Sequence, residues 1–327
     1  MTNRPYQNED DFQAMINLLL RCRATNPISR WPTVAELRLL CHPERDDCIK
    51  HLWLTEENAL AAFALTFRTY AGLYFYLDPQ RGQDTALAEQ ILAWAIATQR
   101  RLNPDFTTLT CQVRAEDTKR TAFLATQGFQ HQERHTVRMI RDLTGALPPP
   151  QLPPGFTIRP VAGEAEAAAR ATLHAQAFGR ETATAEDVAD RLVLMRDPGY
   201  VADLDLVVIA PDGALVAFCV GSIDQEENHR RNCREGWTDP VGVHPGYQRR
   251  GLGKAVVLAA CRRLRDFGME TALLGTGSWN TAMLGCAEAA GYQLLYQSLW
   301  YSQFGPKADA AALDQCSLKN LPRIGVL

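Results

Sequence analysis

The expected fold follows from one stretch of the chain, Val241-Gly242-Val243-His244-Pro245-Gly246-Tyr247-Gln248-Arg249-Arg250-Gly251-Leu252-Gly253-Lys254-Ala255. It opens with a short β-type run and turns through a basic, glycine-rich segment. It then continues directly into an apolar-periodic segment that reaches Leu264. This order predicts a strand, an anion-binding loop and the N-terminus of a helix.

The predicted loop has the chemistry of a phosphate site. Gly251 and Gly253 lack a Cβ atom, so the backbone can adopt unusual dihedral angles and a ligand can approach its N–H groups closely. The first turn of a helix leaves N–H donors without partners and carries the positive end of the helix dipole. Arg249, Arg250 and Lys254 add positive charges beside these donors. A phosphate or pyrophosphate is therefore the expected ligand.

Two other phosphate-binding motifs do not fit the spacing. A Walker loop needs a glycine five residues before its Gly-Lys pair and a hydroxyl after the pair, but Gln248 and Ala255 occupy those positions. A dinucleotide fingerprint needs a third glycine or alanine where Val256 lies. The run Gly275-Thr276-Gly277 has Asn280 at that place, so it does not fit either.

The remaining pattern, Gln-x-x-Gly-x-Gly after a strand that ends Val-Gly-Val-His-Pro, resembles the coenzyme A pyrophosphate loop of the GNAT acyltransferase superfamily. The resemblance implies acetyl-CoA as a co-substrate and no metal. In that family the loop amides hold the pyrophosphate, and the preceding strand hydrogen-bonds the pantetheine arm. The residues assigned to the coenzyme in this way are Val241, Val243, Gln248, Arg249, Arg250, Gly251, Leu252, Gly253 and Lys254.

A second segment carries the same resemblance and also departs from it. Asn280 lies eleven residues before Gly291-Tyr292, which matches the family's Asn-x(10)-Gly-Phe helix, whose asparagine usually contacts the coenzyme arm. Many relatives place a tyrosine seven residues after that asparagine as the general acid, whereas this chain has Ala287. The alternatives left open are Cys286, Tyr292 or an ordered water.

The reaction that the resemblance implies also needs a proton acceptor. An amine such as that of lysine has a pKa of about 10.4, so it arrives protonated at neutral pH and cannot attack a thioester. Asp239 lies four residues before Val243, near the expected position of the thioester. Pro240 removes a ladder donor, which suits a bulge where two strands separate. We expect Asp239 to be the general base, with Glu235 as the second choice; alternatively, Asp239 only caps a turn before the proline.

The length and composition of the chain indicate its number of domains, its partners and its location. The 327 residues predict two domains rather than one core. The net charge of −3 gives no electrostatic reason to expect a nucleic acid or an anionic membrane as partner. No apolar run approaches about 18 residues and the N-terminus is polar, so we expect a cytoplasmic protein. The nine cysteines show no spacing suited to zinc. Nothing in the sequence specifies an oligomeric state.

The predicted fold class is α/β (α+β), with two tandem GNAT-like domains, each a mixed, mostly antiparallel central sheet flanked by helices. Five prolines between residues 143 and 155 predict an extended linker. The predicted division is therefore a degenerate GNAT-like domain at 1–142, the linker at 143–155, the GNAT acyltransferase domain at 156–304 and a tail at 305–327 with a short helix at 308–313.

In the second domain we expect helices at 164–178, 186–195, 254–267 and 281–290 and a hairpin of strands 206–209 and 215–220. The polar segment 224–234 is expected to be a solvated loop, with a substrate-facing flap as the alternative. A last pair of strands is expected around 292–301. Segments 174–178 and 224–235 and the face between the domains are the expected walls of the acceptor pocket.

The first domain is expected to have lost the phosphate loop. Residues 4–141 repeat the same order of elements, with a helix from Thr85 after the loop Asp78 to Asp84. If Gly82 matches Gly251, Asp84 falls at the second glycine. A carboxylate there satisfies the helix N–H groups itself and repels a phosphate. We predict that this domain does not bind acyl-CoA productively and instead completes the substrate cleft or stabilises the other domain.

The sequence leaves three classes of function open. The resemblance implies an acetyl-CoA-dependent N-acetyltransferase that acts on a primary amine of a small molecule or peptide, with the C-terminal domain active. The alternative is a non-catalytic acyl-CoA sensor, which the alanine at position 287 keeps open. A nucleic-acid-modifying factor that uses the arginines of segments 230–234 and 262–265 is the weakest, because Arg262, Arg263 and Arg265 are more simply the solvated face of a helix.

Overall fold

The computed structural model describes residues 1–25, 31–42, 46–81 and 84–304. Gly82 and the expected helix at 308–313 lie outside these residues. Up to the end of β6 the elements are β1 (Thr2–Pro5), α1 (Glu9–Thr25), α2 (Val34–Leu40), β2 (Cys48–Leu54), β3 (Leu60–Phe67), β4 (Gly72–Leu77), α3 (Thr85–Leu102), β5 (Thr108–Arg114), α4 (Thr118–Thr126) and β6 (Gln130–Asp142). The elements that follow are β7 (Thr157–Pro160), α5 (Ala167–Ala177), α6 (Ala185–Arg196), β8 (Asp205–Ile209), β9 (Leu215–Ser222), α7 (Gln225–Arg231), β10 (Glu235–Val243), α8 (Leu252–Asp266), β11 (Thr271–Gly277), α9 (Thr281–Ala289) and β12 (Gln293–Phe304).

The described chain forms two compact units. Of the described residues, unit 1 contains Met1–Thr136 and 296–304, and unit 2 contains Val137–Leu295. The division falls inside β6 and β12 and not within residues 143–155, where the sequence placed it. Residues 143–155 form no helix or strand, but Leu143 and Leu147 are buried in the core of unit 2, so this segment packs against that unit.

In unit 1 the strand order is β1-β2-β3-β4-β5-β12. Only β4 and β5 of the described pairs here are parallel, and β12 runs antiparallel to β5, with Trp300 opposite Gln112. Alternating apolar residues of the strands pack against α3 and α4, because one side of each helix carries aliphatic and aromatic side chains. Ile91 and Leu124 at the centre of this core are fully buried.

Unit 2 has the strand order β6-β11-β10-β9-β8-β7. β10 and β11 are parallel, and the described pairs β7–β8, β8–β9 and β9–β10 are antiparallel, which confirms the mixed, mostly antiparallel α/β class. The predicted hairpin is present, and Gly213, with φ of 88°, supplies the left-handed turn residue. Helix α8 buries its apolar face, including Val256 and Leu264, on one side of the sheet.

Two sequence-based predictions for residues 224–304 are wrong. The polar segment 224–234, expected to be a loop, contains the helix α7: Asp224 caps it by accepting the Glu227 N–H at 2.8 Å. Ion pairs one turn apart, Glu226–Arg230 at 2.9 Å and Glu227–Arg231 at 3.3 Å, support this helix. The pair of strands expected around 292–301 is the single strand β12, Gln293–Phe304.

Candidate active site

The loop between β10 and α8 presents a row of backbone donors. Arg249 has φ of 63° and Gly251 has φ of 80°, both in the left-handed region. Alternation of left-handed and right-handed residues turns successive N–H groups toward one side and forms an anion-binding nest. In the part of the chain that the structure describes, the N–H groups of residues 249–254 have no protein acceptor. The first turn of α8 also has no side-chain cap.

The side chains of this loop contribute in different ways. Arg249, Arg250 and Lys254 are exposed around the donors. Gln248 turns back and donates from Nε2 to the Val243 carbonyl at 3.3 Å. Leu252 is buried in the core, so only its backbone faces the loop.

The two glycines of the loop serve different purposes. Nothing lies within 4 Å of the position that a Cβ on Gly251 would take, so Gly251 is required by its backbone angle. A Cβ on Gly253 would lie 3.3 Å from the Cys286 Sγ and 3.4 Å from a methyl of Val243. Gly253 therefore allows α8 to start close to α9 and β10.

Strands β10 and β11 separate just before the loop. Their pairing ends at Trp237 opposite Leu273, and the β9–β10 register shifts between Thr238 and Val241. The His244 N–H donates to Val216 of β9 at 2.8 Å. Because backbone groups alternate in direction along a strand, those of Val241 and Val243 point away from β9, toward the separation. This is the edge that the resemblance assigns to the pantetheine arm.

Asp239 lies at this separation and bridges it. Its Oδ2 accepts the Gly275 N–H of β11 at 2.7 Å and lies 3.4 Å from Nη1 of Arg138. Burial raises the pKa of the Asp239 carboxyl above its usual value, and the Arg138 charge and the Gly275 hydrogen bond oppose this rise. A carboxylate that is a stronger base than usual, at the point where two strands part, is suited to accept a proton.

The other predicted residues are placed less favourably. Glu235 lies in the paired part of β10, opposite Thr271, and forms an ion pair with Arg231 at 2.7 Å, so the structure does not bring it to the separation. Asn280 is the N-cap of α9, and its Oδ1 accepts the Met283 N–H at 3.2 Å. Its side-chain carbonyl is therefore already used within the helix.

The alternatives for a general acid are narrowed by burial. The Tyr292 hydroxyl lies in the core, 2.6 Å from Thr238 Oγ1 and 3.2 Å from Cys261 Sγ, and burial raises its pKa well above the usual value. This removes Tyr292 from the alternatives. Burial also raises the pKa of the Cys286 thiol to about 11, with Lys254 opposing the rise. Ala287 is fully buried and has no group to donate.

Helix α5 packs over the same stretch of β10. A Cβ on Gly242 would lie 2.4 Å from the Phe218 ring and 2.7 Å from the Ala177 methyl, so only glycine fits there. The His174 ring contacts Phe218 and Phe178 at centroid distances of 5.5 and 4.8 Å. Burial, followed by the charge of nearby Arg170, lowers the pKa of His174 to about 4, so this imidazole is neutral at pH 7.

Sequence reasoning missed Arg138, Trp237 and Gly275. The Arg138 guanidinium lies over the Trp237 ring, 4.4 Å from its centroid. The contact between Arg138 and Asp239 spans 101 residues of sequence, and no local pattern indicates it. Gly275 was considered only as part of the run Gly275-Thr276-Gly277, whose spacing does not fit a dinucleotide motif.

The matching region of unit 1 is filled by its own side chains. The pairing of β4 and β5 ends at Leu73 opposite Cys111. Asp84 is the N-cap of α3, the place that Gly251 has in α8, and not the second-glycine place that the sequence comparison gave it. Its Oδ1 accepts the Leu87 N–H at 2.9 Å. Arg120 donates to the Phe75 carbonyl at 3.0 Å, and the cleft here holds only about 20 Å³, room for about one water.

Two further observations concern membrane insertion and metal binding. In the described ranges, no helix is long and apolar enough to cross a membrane. The same residues contain no group of three or more His, Cys, Asp or Glu side chains arranged to hold a metal ion.

Comparison with known proteins places the site in a family context. Residues 172–292 match the family described as acetyltransferase (GNAT) family. A mycothiol acetyltransferase of Salinispora tropica is 31% identical over 157 residues, which are 47% of this chain and 50% of the relative. The chain thus matches about half the length of this relative.

Solved structures share the fold over nearly the whole chain. A GCN5-related N-acetyltransferase from Sphaerobacter thermophilus has a TM-score of 0.72 and 20% identity and covers 94% of this chain and 97% of its own. A tandem GNAT protein from the clavulanic acid biosynthesis pathway also has a TM-score of 0.72, at 15% identity, with 94% and 99% covered.

Proposed function

We propose that this chain, which belongs to the GNAT superfamily, transfers an acetyl group from acetyl-CoA to the primary amine of a small molecule or peptide. The observation that carries the proposal is the row of N–H groups at 249–254, none with a protein acceptor among the described residues, next to the point where β10 and β11 separate. Six donors, a helix N-terminus and three exposed cations fit a diphosphate. We assign the reaction to the domain at 156–304, supplemented by the residues of β6 that belong to unit 2.

In the proposed reaction, residues of this chain bind, orient and accept a proton. The loop amides hold the pyrophosphate, and the backbone groups of Val241 and the N–H of Val243 direct the pantetheine arm into the separation, while the Val243 carbonyl is held by Gln248. Asp239 takes the proton that the ammonium must lose before its nitrogen attacks the thioester carbon. After the attack the nitrogen gives its second proton to water, the carbon–sulfur bond breaks, and the thiolate leaves with a conjugate thiol pKa of about 8.5. A leaving group of this kind needs no strong acid, so water can supply the final proton despite the alanine at 287.

The acceptor is proposed to be a small molecule rather than a peptide. The relative from Salinispora tropica is named a mycothiol acetyltransferase, which favours a small-molecule amine. The neutral His174 ring of α5 and the exposed Phe178 that follows this helix supply a hydrogen-bonding and an apolar surface close to β10. We propose one coenzyme per chain, because Asp84 and Arg120 fill the corresponding region of unit 1.

The alternative function is a sensor that binds acyl-CoA without turnover, which the buried Ala287 favours. Release of free thiol from acetyl-CoA over a panel of primary amines, measured for the wild type and for Asp239→Asn, distinguishes the two. We expect kcat/KM to fall by about 10²–10⁴-fold in Asp239→Asn, with coenzyme affinity by calorimetry unchanged.

Asp266→Asn is the control, because Asp266 is an exposed residue at the end of α8. It should keep wild-type turnover. Thiol release by wild type no faster than by buffer with every amine, together with tight acetyl-CoA binding, would establish the sensor. Two coenzyme molecules bound per chain would contradict the assignment of the site to unit 2 alone.

A further inference from the structure

Among the described residues up to position 142, Arg138 is the one whose side chain the structure places against Asp239, and both residues lie in unit 2. It belongs to β6 and lies outside residues 172–292, which match the family. Its guanidinium is held on one side by the Trp237 ring, 4.4 Å from the centroid, and its Nη1 lies 3.4 Å from Asp239 Oδ2. The Arg138 side chain is only 16% exposed, so solvent screens this charge weakly.

Gly275 makes this arrangement possible. A Cβ at this position would lie 2.4 Å from the Arg138 Nη1 and 2.9 Å from its Cζ, which no real contact allows. The same residue donates its N–H to the Asp239 carboxylate at 2.7 Å. Gly275 therefore provides one hydrogen bond to the carboxylate and also the space for the cation beside it.

We propose that Arg138, through the space left by Gly275, positions the Asp239 carboxylate and keeps it ionised and ready to accept a proton. The inference rests on the proposed role of Asp239 as general base. Arg138 is a positioning residue, since it acts through Asp239. The acyltransferase site is then incomplete without β6, which precedes the proline-rich segment.

The charges around the Asp239 carboxylate determine the direction in which the loss of Arg138 shifts its titration. Among the described residues, the Arg138 guanidinium of β6 and the Gly275 N–H of β11 contact the Asp239 carboxylate, and the buried, protonated Cys219 thiol of β9 lies near enough to interact with its charge. Burial penalises the ionised carboxylate, and Arg138 is the cation that offsets the penalty. Removing that cation must therefore raise the pH at which Asp239 titrates.

The experiment titrates Asp239 directly in the full-length protein. Carbon-13 NMR of protein labelled at the aspartate carboxyl carbons, with the Asp239 signal identified by its loss in Asp239→Asn, reports the protonation of this group without any turnover. We expect Arg138→Gln to raise the midpoint by about one pH unit and Arg138→Lys to raise it less. Gly275→Ala, which displaces the guanidinium but keeps the arginine, should move the midpoint in the same direction. Arg134→Gln, which removes the same charge from an exposed position of β6, should leave it unchanged.

A second readout follows turnover. The acidic limb of the pH profile of kcat/KM should move upward by the same amount as the NMR midpoint in Arg138→Gln. An NMR midpoint that is the same in wild type and in folded Arg138→Gln and Gly275→Ala would overturn the inference, whatever the activity. A shifted midpoint in a protein that transfers no acetyl group would support the positioning of Asp239 and would count against the proposed function alone.

Discussion

Helix α3 of unit 1 follows β4, and helix α8 of unit 2 follows β10; each of these strands has a parallel neighbour. The first turns of the two helices nevertheless differ. At α3 the carboxylate of Asp84 accepts the Leu87 N–H at 2.9 Å, and Arg81 lies 3.9 Å from that carboxylate. At α8 the cap position is Gly251, with φ of 80° and no side-chain hydrogen bond. A helix N-terminus can be completed by the chain itself or left available to an anion, and the single cap residue decides between these states.

The edges of β4 in unit 1 and of β10 in unit 2 differ in the same way as the helix starts. In unit 1 the Phe75 carbonyl accepts a hydrogen bond from Arg120, which is the third residue after the N-cap of α4. The third residue after the N-cap of α9 is Met283, which has no group to donate, and the backbone groups of Val241 and Val243 face the separation of the strands. Unit 1 thus supplies an internal anion at the helix cap and an internal donor at the strand edge, whereas unit 2 has neither group at the two matching positions.

The comparison is tested most strongly by giving α8 the cap of α3. Gly251→Asp places a carboxylate at the N-cap, where aspartate tolerates the left-handed conformation better than most residues. We expect the affinity for coenzyme A to fall by about 100-fold, since a charged hydrogen bond of about 1.5–3 kcal/mol is replaced by repulsion. Isothermal titration calorimetry of the full-length protein measures this loss.

Gly268→Asp is the matched control for this variant. Gly268 follows the other end of α8 and has φ of 84°, so the backbone penalty is similar while the phosphate loop is unchanged. Its coenzyme affinity should equal that of the wild type. Retention of wild-type affinity by Gly251→Asp would mean that these amides do not hold the diphosphate, and the distinction between the two helices would lose its functional meaning.

The second test removes the internal donor of unit 1. Arg120→Met gives α4 the residue that α9 has at the matching position, and it deletes the hydrogen bond to Phe75 and the contact with the Phe75 ring, 4.5 Å from the guanidinium. We expect a loss of about 2 kcal/mol in the free energy of unfolding, measured by urea denaturation. Lys119→Met, at an exposed neighbouring position, should cost little. Equal stability of the two variants would show that the contacts of Arg120 with Phe75 do not stabilise unit 1. Arg120 would then not be an internal substitute for a ligand.

The contrast between the loops was accessible from sequence because it is local. Gly251 and the basic residues beside it predicted an open helix start, and Asp84 predicted a closed one, and both features lie within a few residues of a helix. The predicted register was wrong: the structure places Asp84 at the N-cap, in the position of Gly251, because the turn from Pro79 to α3 is shorter than the turn from Pro245 to α8.

What the sequence failed to predict depends on contacts across the fold or on a pattern that was passed over. Arg138 reaches Asp239 across 101 residues, and no spacing rule connects β6 with β10. Helix α7 had a local signal, because Glu226 and Glu227 each precede an arginine by four residues, but its high charge favoured a loop. The long strand β12 belongs mainly to unit 1, and its residues 298–304 pair with β5, a long-range contact that no local pattern indicates.

The prediction with the smallest expected effect concerns the two roles proposed for Asp84, which are to cap α3 and to repel a phosphate by its charge. Asp84→Ala removes the cap of α3 and should cost about 1 kcal/mol of stability, whereas Asp84→Asn keeps a capping oxygen and should cost less. Asp105→Ala, at an exposed turn, is the control. Both Asp84 variants should still bind one coenzyme molecule per chain by calorimetry, because Arg120 remains on the Phe75 carbonyl. A second coenzyme bound by Asp84→Asn would mean that charge repulsion alone had closed unit 1, and Arg120 would then have no part in the difference between the two units.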